Sequence, residues 1–203
     1  MSEFDNKARD WDKNLRNIER SEAIAKALSE TIPLNKKMKA LEYGAGTALL
    51  SFVLWDKLKD ITLMDNSQEM TLVASEKIAC GNVKNMKPLL FDLEKEDFKG
   101  AFDIIYTQMV MHHVIDIDSM FLKFRALLNT GGYLAIADLY SEDGSFHGAG
   151  FTGHLGFDVE ILSDKLKKID FRNIRHQECY IMKKENDTGI LKEYPIFLLT
   201  ASI

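Results

Sequence analysis

The chain has 203 residues, 46% of them hydrophobic and 28% charged, with a formal net charge of −5. That size suits one domain with its own core, and the acidic balance argues against a nucleic-acid partner, which selects for a basic face. No apolar run approaches the length of a membrane span, and the charged opening residues lack a secretory signal pattern, so a cytoplasmic protein is expected. Cys80 and Cys179 lie far apart, form no metal-like pair, and read as reduced, buried thiols.

In chain order, Leu15, Ile18, Ala25, Leu28 and Ile32 recur at helical spacing, and Pro33 with Asn35 ends that helix. A strand over Met38–Tyr43 and a helix over Thr47–Lys57 follow. A second strand, Ile61–Met64, leads to a helix carrying Met70, Val73, Ala74 and Ile78. Lys87–Phe91 makes a weaker third strand whose Pro88 suits a sheet edge. Phe102–Gln108 is the fourth strand, and Met120, Phe121, Phe124, Leu127 and Leu128 mark a helix for which Gly131-Gly132 is the stop signal. Tyr133–Leu139, apolar on both faces, reads as a central parallel strand. After a helix through Val159, Leu162, Leu166 and Ile169, two strands near Ile174–Met182 and Tyr194–Ala201 flank a polar turn at Asn186–Gly189. Alternating β and α units predict an α/β fold, a doubly wound parallel sheet ending in an antiparallel pair.

The most informative segment is Leu41-Glu42-Tyr43-Gly44-Ala45-Gly46-Thr47-Ala48, a strand running through two glycines into a helix. Glycine lets backbone approach a ligand closely, and a helix N-terminus favours an anionic group. Leu49 stands where a dinucleotide fingerprint requires a small residue, and there is no Gly-Lys-Ser/Thr ending for a phosphate loop. Asp65 ends the second strand, where a carboxylate can accept from both hydroxyls of a ribose. Asp92 ends the third, where it can accept from an adenine amino group. Both positions also suit simple turn caps.

Glu42-Tyr-Gly44-Ala-Gly46-Thr-Ala48, Asp65-Asn66-Ser67, Phe91-Asp92-Leu93 and Gly131-Gly132-Tyr133 together resemble the ordered motifs of class I S-adenosylmethionine (SAM)-dependent methyltransferases, most closely the small-molecule branch called type 11 or 12. The resemblance covers about residues 11–139. It implies a Rossmann-like doubly wound seven-stranded sheet, mostly parallel with one reversed strand near the C-terminal edge, and SAM as cofactor. By the same resemblance Glu42, Gly44 and Gly46 line the methionine end of SAM, Asp65 holds the ribose, Met70 and Leu93 flank the adenine, and Asn66 is a further cofactor-binding residue. Asp92 binds the adenine amino group, and Gln108 lies beside the methionine portion. The departure is Ala48, where many members carry a third glycine.

The implied reaction moves a methyl group to an O, N or C nucleophile on a small metabolite. It needs orientation and exclusion of water, with a general base only where the acceptor loses a proton. Weak candidates for chemistry are His112, His113 and His147. Met111-His112-His113-Val114, at the mouth of the expected site, favours capping or hydrogen bonding, and no metal is expected. Ser141–Phe157, rich in glycine and aromatic residues, reads as a substrate lid or a surface connection. There His147 and His154 could join Asp138 or Glu142 around a metal, the weakest of these readings. Residues 1–36, with Lys7 and Trp11, resemble the cofactor-covering segment of some relatives, although Trp11 could simply anchor its helix. The whole chain, 1–203, is expected to be one methyltransferase domain acting on a small molecule, without nucleic acid or membrane span. The resemblance names neither the acceptor nor an oligomeric state. The alternatives are a non-enzymatic SAM-binding module and an NAD(P)-binding oxidoreductase.

Overall fold

The computed structural model describes residues 4–148, 150–185 and 189–203. Seven strands form one sheet in the order β3-β2-β1-β4-β5-β7-β6: β1 (Lys39–Tyr43), β2 (Asp60–Asp65), β3 (Met86–Leu90), β4 (Phe102–Gln108), β5 (Leu128–Leu139), β6 (Arg172–Glu185) and β7 (Leu191–Ser202). The first five pair in parallel, and β7 alone is reversed, lying antiparallel to both β5 and β6. The expected Rossmann-like sheet with one reversed strand is thus the observed one.

Helices α1 (Leu15–Thr31), α2 (Leu49–Leu54) and α3 (Gln68–Cys80) cover one face, burying Ile24, Leu28, Leu50, Leu54 and Ala74 against Ile61, Leu63, Ile104 and Tyr106. On the other face, α4 (Ile117–Leu127) and α5 (Val159–Lys168) bury Phe121, Phe124, Leu162 and Leu166 against Leu41, Ile105, Leu134 and Phe197. Each fully buried large apolar side chain contributes about 1.5–3 kcal/mol, so the two layers fix the register of the central strands. Pro88 sits on the edge strand β3, where its missing N–H removes no ladder bond. At the opposite edge, β6 carries charged residues and two register shifts, features that discourage pairing with another chain.

Three expectations are corrected. Gly131-Gly132 does not stop α4: the helix ends at Leu127 and Leu128 already has extended backbone, so the glycines fall inside β5, opposite a register shift between Phe102 and Ile104. Cys80 is exposed at the end of α3 rather than buried, whereas Cys179 is half-buried and its thiol is pushed up to about 12 by burial. A 3-10 segment, Asp5–Lys13, precedes α1 where only one helix was read. The polar turn expected at Asn186–Gly189 lies largely outside the described residues. No helix among them is long and apolar enough to cross a membrane.

Candidate active site

The parallel strands β1 to β5 all deliver their carboxyl ends to the same edge of the sheet, where open α/β sheets bind ligands. A cavity of about 1000 Å³ occupies that edge. Of the residues expected to hold cofactor, Trp11, Gly44, Gly46, Asp65, Asn66, Met70, Asp92, Leu93 and Gln108 all line it, as do His112, His113 and His147.

The glycine loop shapes the floor. Gly44 and Gly46 both have left-handed backbone, with φ of 66° and 54°. A Cβ at Gly44 would lie 2.4 Å from Val110 Cγ2, 2.7 Å from Cγ1 and 3.0 Å from its Cβ, so Val110 would have to move to admit it. A Cβ at Gly46 would meet only Met70 Sδ, at 3.8 Å, so this glycine keeps room open beside the cavity. Gly44→Ala is therefore expected to cost about 2–3 kcal/mol of stability by overpacking and backbone strain. Gly46→Ala should cost about 1–2 kcal/mol but weaken cofactor binding more than Gly44→Ala does per unit of lost stability, which paired melting and titration curves would reveal. Ala48 is also left-handed, at φ 66°, and its methyl is fully buried in the core. Its difference from a third glycine therefore lies in the backbone, at about 1–2 kcal/mol.

At the end of β2, Asp65 accepts from the Gly46 N–H at 2.7 Å and the Ser67 N–H at 2.8 Å. Burial raises its pKa, and these backbone donors partly offset that. A carboxylate has about four lone-pair sites, so acceptor capacity remains for a ligand's hydroxyls. Asp92 lies just past β3, accepts from the Glu94 N–H at 3.1 Å and pairs with Lys95 at 2.8 Å. Burial alone would raise its pKa, but the Lys95 ammonium and the turn's N–H groups hold it low. Asp92 thus caps its turn and faces the cavity at once.

Glu42 is placed elsewhere. Neighbouring side chains of a strand point to opposite faces; on β1, Leu41 and Tyr43 pack with α4 while Glu42 turns toward α2. Its carboxyl is fully buried, accepts from Ser51 Oγ, and leaves Oε1 with no partner among the described residues. Ser51 Oγ in turn lies 2.6 Å from the Tyr106 hydroxyl. Burial pushes the Glu42 pKa up to about 8, so this side chain is a protonated element beneath the glycine loop rather than part of the cavity wall.

The N-terminal segment forms one wall and is latched to the cofactor loops. Asp12 accepts from Thr47 Oγ1 and pairs with Lys77, both at 2.5 Å, while Lys77 also donates to the Thr47 carbonyl at 2.7 Å. Asp5 accepts from Ser67 Oγ at 2.6 Å, and Arg9 pairs with Glu76. Phe4 stands edge-on to both Trp11 and His113, at 6.2 and 5.3 Å between ring centres. Asp12→Ala is expected to release this wall and weaken S-adenosylhomocysteine binding about fivefold, mostly through faster dissociation, as stopped-flow mixing would measure.

At the far end, His112 Nδ1 lies 2.6 Å from Asp138 Oδ1, and both residues are buried. The Asp138 carboxylate also accepts from the backbone N–H groups of His112 and Leu139. His147 stacks on Phe151 with ring centres 3.7 Å apart, and its Nδ1 is buried with no partner among the described residues. Burial, then the neighbouring His112 and His113, push the His147 pKa down to about 4, so its ring is neutral at neutral pH. The ring nitrogens of His112, His113 and His147 lie within 4.8 Å of one another. Zinc–nitrogen bonds of about 2.0–2.1 Å imply about 3.4 Å between tetrahedral ligands, so the rings would have to close in before sharing an ion. His154 takes no part in this cluster: its ring bonds the Val114 carbonyl at 3.0 Å.

The sequence reading missed Arg20, Lys184 and Met182, which line the same cavity from α1 and β6. Arg20 carried a readable signal, a charge four residues before Ile24 on the buried face of α1. Lys184 holds the carbonyl of Phe146 in the 141–157 loop, and Phe146, His147, Phe151 and Thr152 of that loop border the cavity.

Residues 34–193 match the family described as "Methyltransferase domain". The chain belongs to this methyltransferase family. A relative in Schizosaccharomyces pombe, an uncharacterized methyltransferase, is 28% identical over 153 residues, 67% of this chain. The chain spans about half of that relative's length (54%). Among solved structures, a SAM-dependent methyltransferase from Aquifex aeolicus superposes with a TM-score of 0.66 at 18% identity, covering 94% of this chain and 96% of that one. Phosphoethanolamine N-methyltransferase 2 of Haemonchus contortus, in complex with SAM, gives 0.71 at 14% identity, covering all of this chain and 60% of its own. Membership gives this chain a methyltransferase domain, and SAM is the molecule bound in the Haemonchus structure. The cavity suits that group on this structure's own terms: Gly46 leaves open space beside the loop, and Asp65 keeps acceptor capacity next to it.

Proposed function

We propose that this methyltransferase moves the methyl group of SAM to an O, N or C nucleophile on a small metabolite bound at the histidine end of the cavity. The observation that carries the reading is that the glycine loop, Asp65 and Asp92 share one cavity with the His112–His113–His147 cluster. SAM, when bound, supplies a methyl group already activated by the sulfonium charge, so the chain's task is to bind, align and keep water out. In this reading Gly44, Gly46, Asp65, Asn66, Met70, Asp92, Leu93 and Gln108 form the cofactor half, with Trp11 and the 3-10 segment as its cover. The 141–157 loop is the wall of the acceptor half.

Where the acceptor must lose a proton, this reading gives that task to His112, which lines the cavity. Asp138 fixes the proton on Nδ1, which leaves Nε2 as the accepting nitrogen. This assigns the His112–Asp138 pair a positioning and proton-accepting role, with Glu42 contributing only to the fold beneath the loop.

The test is release of S-adenosylhomocysteine from SAM with separate panels of phenols, amines, carboxylates and carbon acids. Turnover above the acceptor-free rate with one class, and its loss in Asp65→Ala, is the expected result. Saturable SAM binding with no turnover in any class would instead favour a SAM-binding module.

A further inference from the structure

Arg20 is a buried charge with no partner among the described residues. It lies on the inner face of α1, is 5% exposed, and lines the cavity. Guanidinium groups are rarely buried unless paired, because taking the charge out of water is strongly unfavourable. Among the described residues no hydrogen bond or ion pair reaches Arg20, and its Nε is buried with no partner. The two groups whose charge favours its protonated form, Tyr180 and Asp138, are occupied elsewhere. Asp138 serves His112 and two backbone N–H groups, and the Tyr180 hydroxyl lies 3.5 Å from Glu19. Desolvation lowers the Arg20 pKa to about 10, which still leaves it charged at neutral pH.

The surroundings suit an incoming anion. The carboxylates that line the cavity, Asp10, Asp65, Asp92 and Glu94, belong to the N-terminal segment and the ends of β2 and β3. Arg20 comes from α1, next to Ser21, which holds Gln108 at the end of β4, and is within charge range of Tyr180 on β6, whose Lys184 lines the same cavity. We propose that Arg20 anchors an anion subsite, and that a carboxylate or phosphate of a bound molecule is its missing partner. Two sources carry that chemistry: the carboxylate of SAM's methionine portion and an anionic group on the acceptor. The inference rests on the reading of this cavity as the cofactor and acceptor site, though Arg20's lack of a partner does not.

The test compares wild type, Arg20→Met and Arg20→Lys. S-adenosylhomocysteine and 5′-methylthioadenosine are titrated side by side, because the second keeps the adenosine and thioether but has no carboxylate. Melting of the S-adenosylhomocysteine-loaded proteins with added inorganic phosphate or acetate forms the third arm. If the methionine carboxylate is the partner, Arg20→Met weakens S-adenosylhomocysteine about 10- to 100-fold, as loss of a charge-assisted bond does, and leaves methylthioadenosine unchanged. If the acceptor supplies the anion, both adenosine ligands bind as before, and the rise in Tm given by phosphate or acetate disappears in the variant. In either case the ligand-free Arg20→Met protein melts at or above wild type, since the substitution removes a desolvated charge.

Equal responses of wild type and Arg20→Met in all three arms would overturn the proposal. So would a ligand-free Arg20→Met protein that melts lower and loses both adenosine ligands alike, the mark of a structural arginine. Should Arg20→Met fail to fold, Arg20→Lys carries the same comparison, keeping the charge but losing the two-pronged geometry. Wild-type protein that binds neither adenosine ligand sinks the reading of the cavity, while phosphate and acetate added to the ligand-free proteins still decide for or against the Arg20 subsite.

Discussion

Asp65→Ala is expected to weaken S-adenosylhomocysteine binding by about 100-fold or more while the fold survives. The magnitude follows from two hydroxyls donating to one carboxylate, each bond to a charged group being worth about 1.5–3 kcal/mol. The loop pays a second cost, because the Gly46 and Ser67 N–H groups lose their acceptor. Two orphaned donors at a partly exposed loop should lower stability by about 1–3 kcal/mol, which shifts Tm without abolishing folding. Asp65→Asn separates the effects, since its carbonyl can still accept from the loop but carries no charge. Because burial raises the Asp65 pKa, affinity should also fall on acidification at a higher pH than for an exposed aspartate. Calorimetry across pH measures all three. Wild-type affinity in Asp65→Ala would refute the placement of the cofactor's ribose at β2.

The second large effect concerns stability. Glu42 is held protonated in the folded protein, with a pKa of about 8 against 4.5 for an ordinary glutamate. In the unfolded chain it ionises near 4.5, so its contribution is fully present below that pH and is lost as pH rises through about 8. Glu42→Gln mimics the protonated acid and cannot ionise. The Tm difference between Glu42→Gln and wild type should therefore grow from pH 4.5 to 8 and then level off. Linkage across a shift of this size is worth several kcal/mol, which makes the effect measurable even if reorganisation absorbs half of it. Any constant offset from the amide's extra donor would not alter the pH dependence. Parallel Tm profiles for the two proteins would show that Glu42 is ionised in the fold.

How legible the site was depended on where its residues sit along the chain. Gly44, Gly46, Asp65 and Asp92 follow successive strands that pair in parallel, so their meeting could be deduced from strand ends alone. Pro88 likewise announced the edge position of β3. The facing of Glu42 was hidden because Ala40 through Tyr43 are all buried, and a strand covered on both sides has no apolar–polar alternation to reveal its phase. Gly131-Gly132 misled because glycine suits a helix stop and a strand irregularity equally, and here it serves the second. The joining of His147 to His112 and His113 depends on the path of a loop, which no periodicity encodes. Lys184 comes from the far edge of the sheet through the reversal at β7, a contact visible only once that topology is known. Arg20 was visible as a charge on an apolar helix face, but its lack of a partner is a property of the folded molecule.

The most direct measurement is calorimetric titration of the purified protein with SAM and S-adenosylhomocysteine, using NADH as control. The account predicts saturable binding of both SAM compounds in the micromolar range at one site per chain, and no heat of binding from NADH. Binding of NADH by well-folded protein, with neither SAM compound bound, would contradict it.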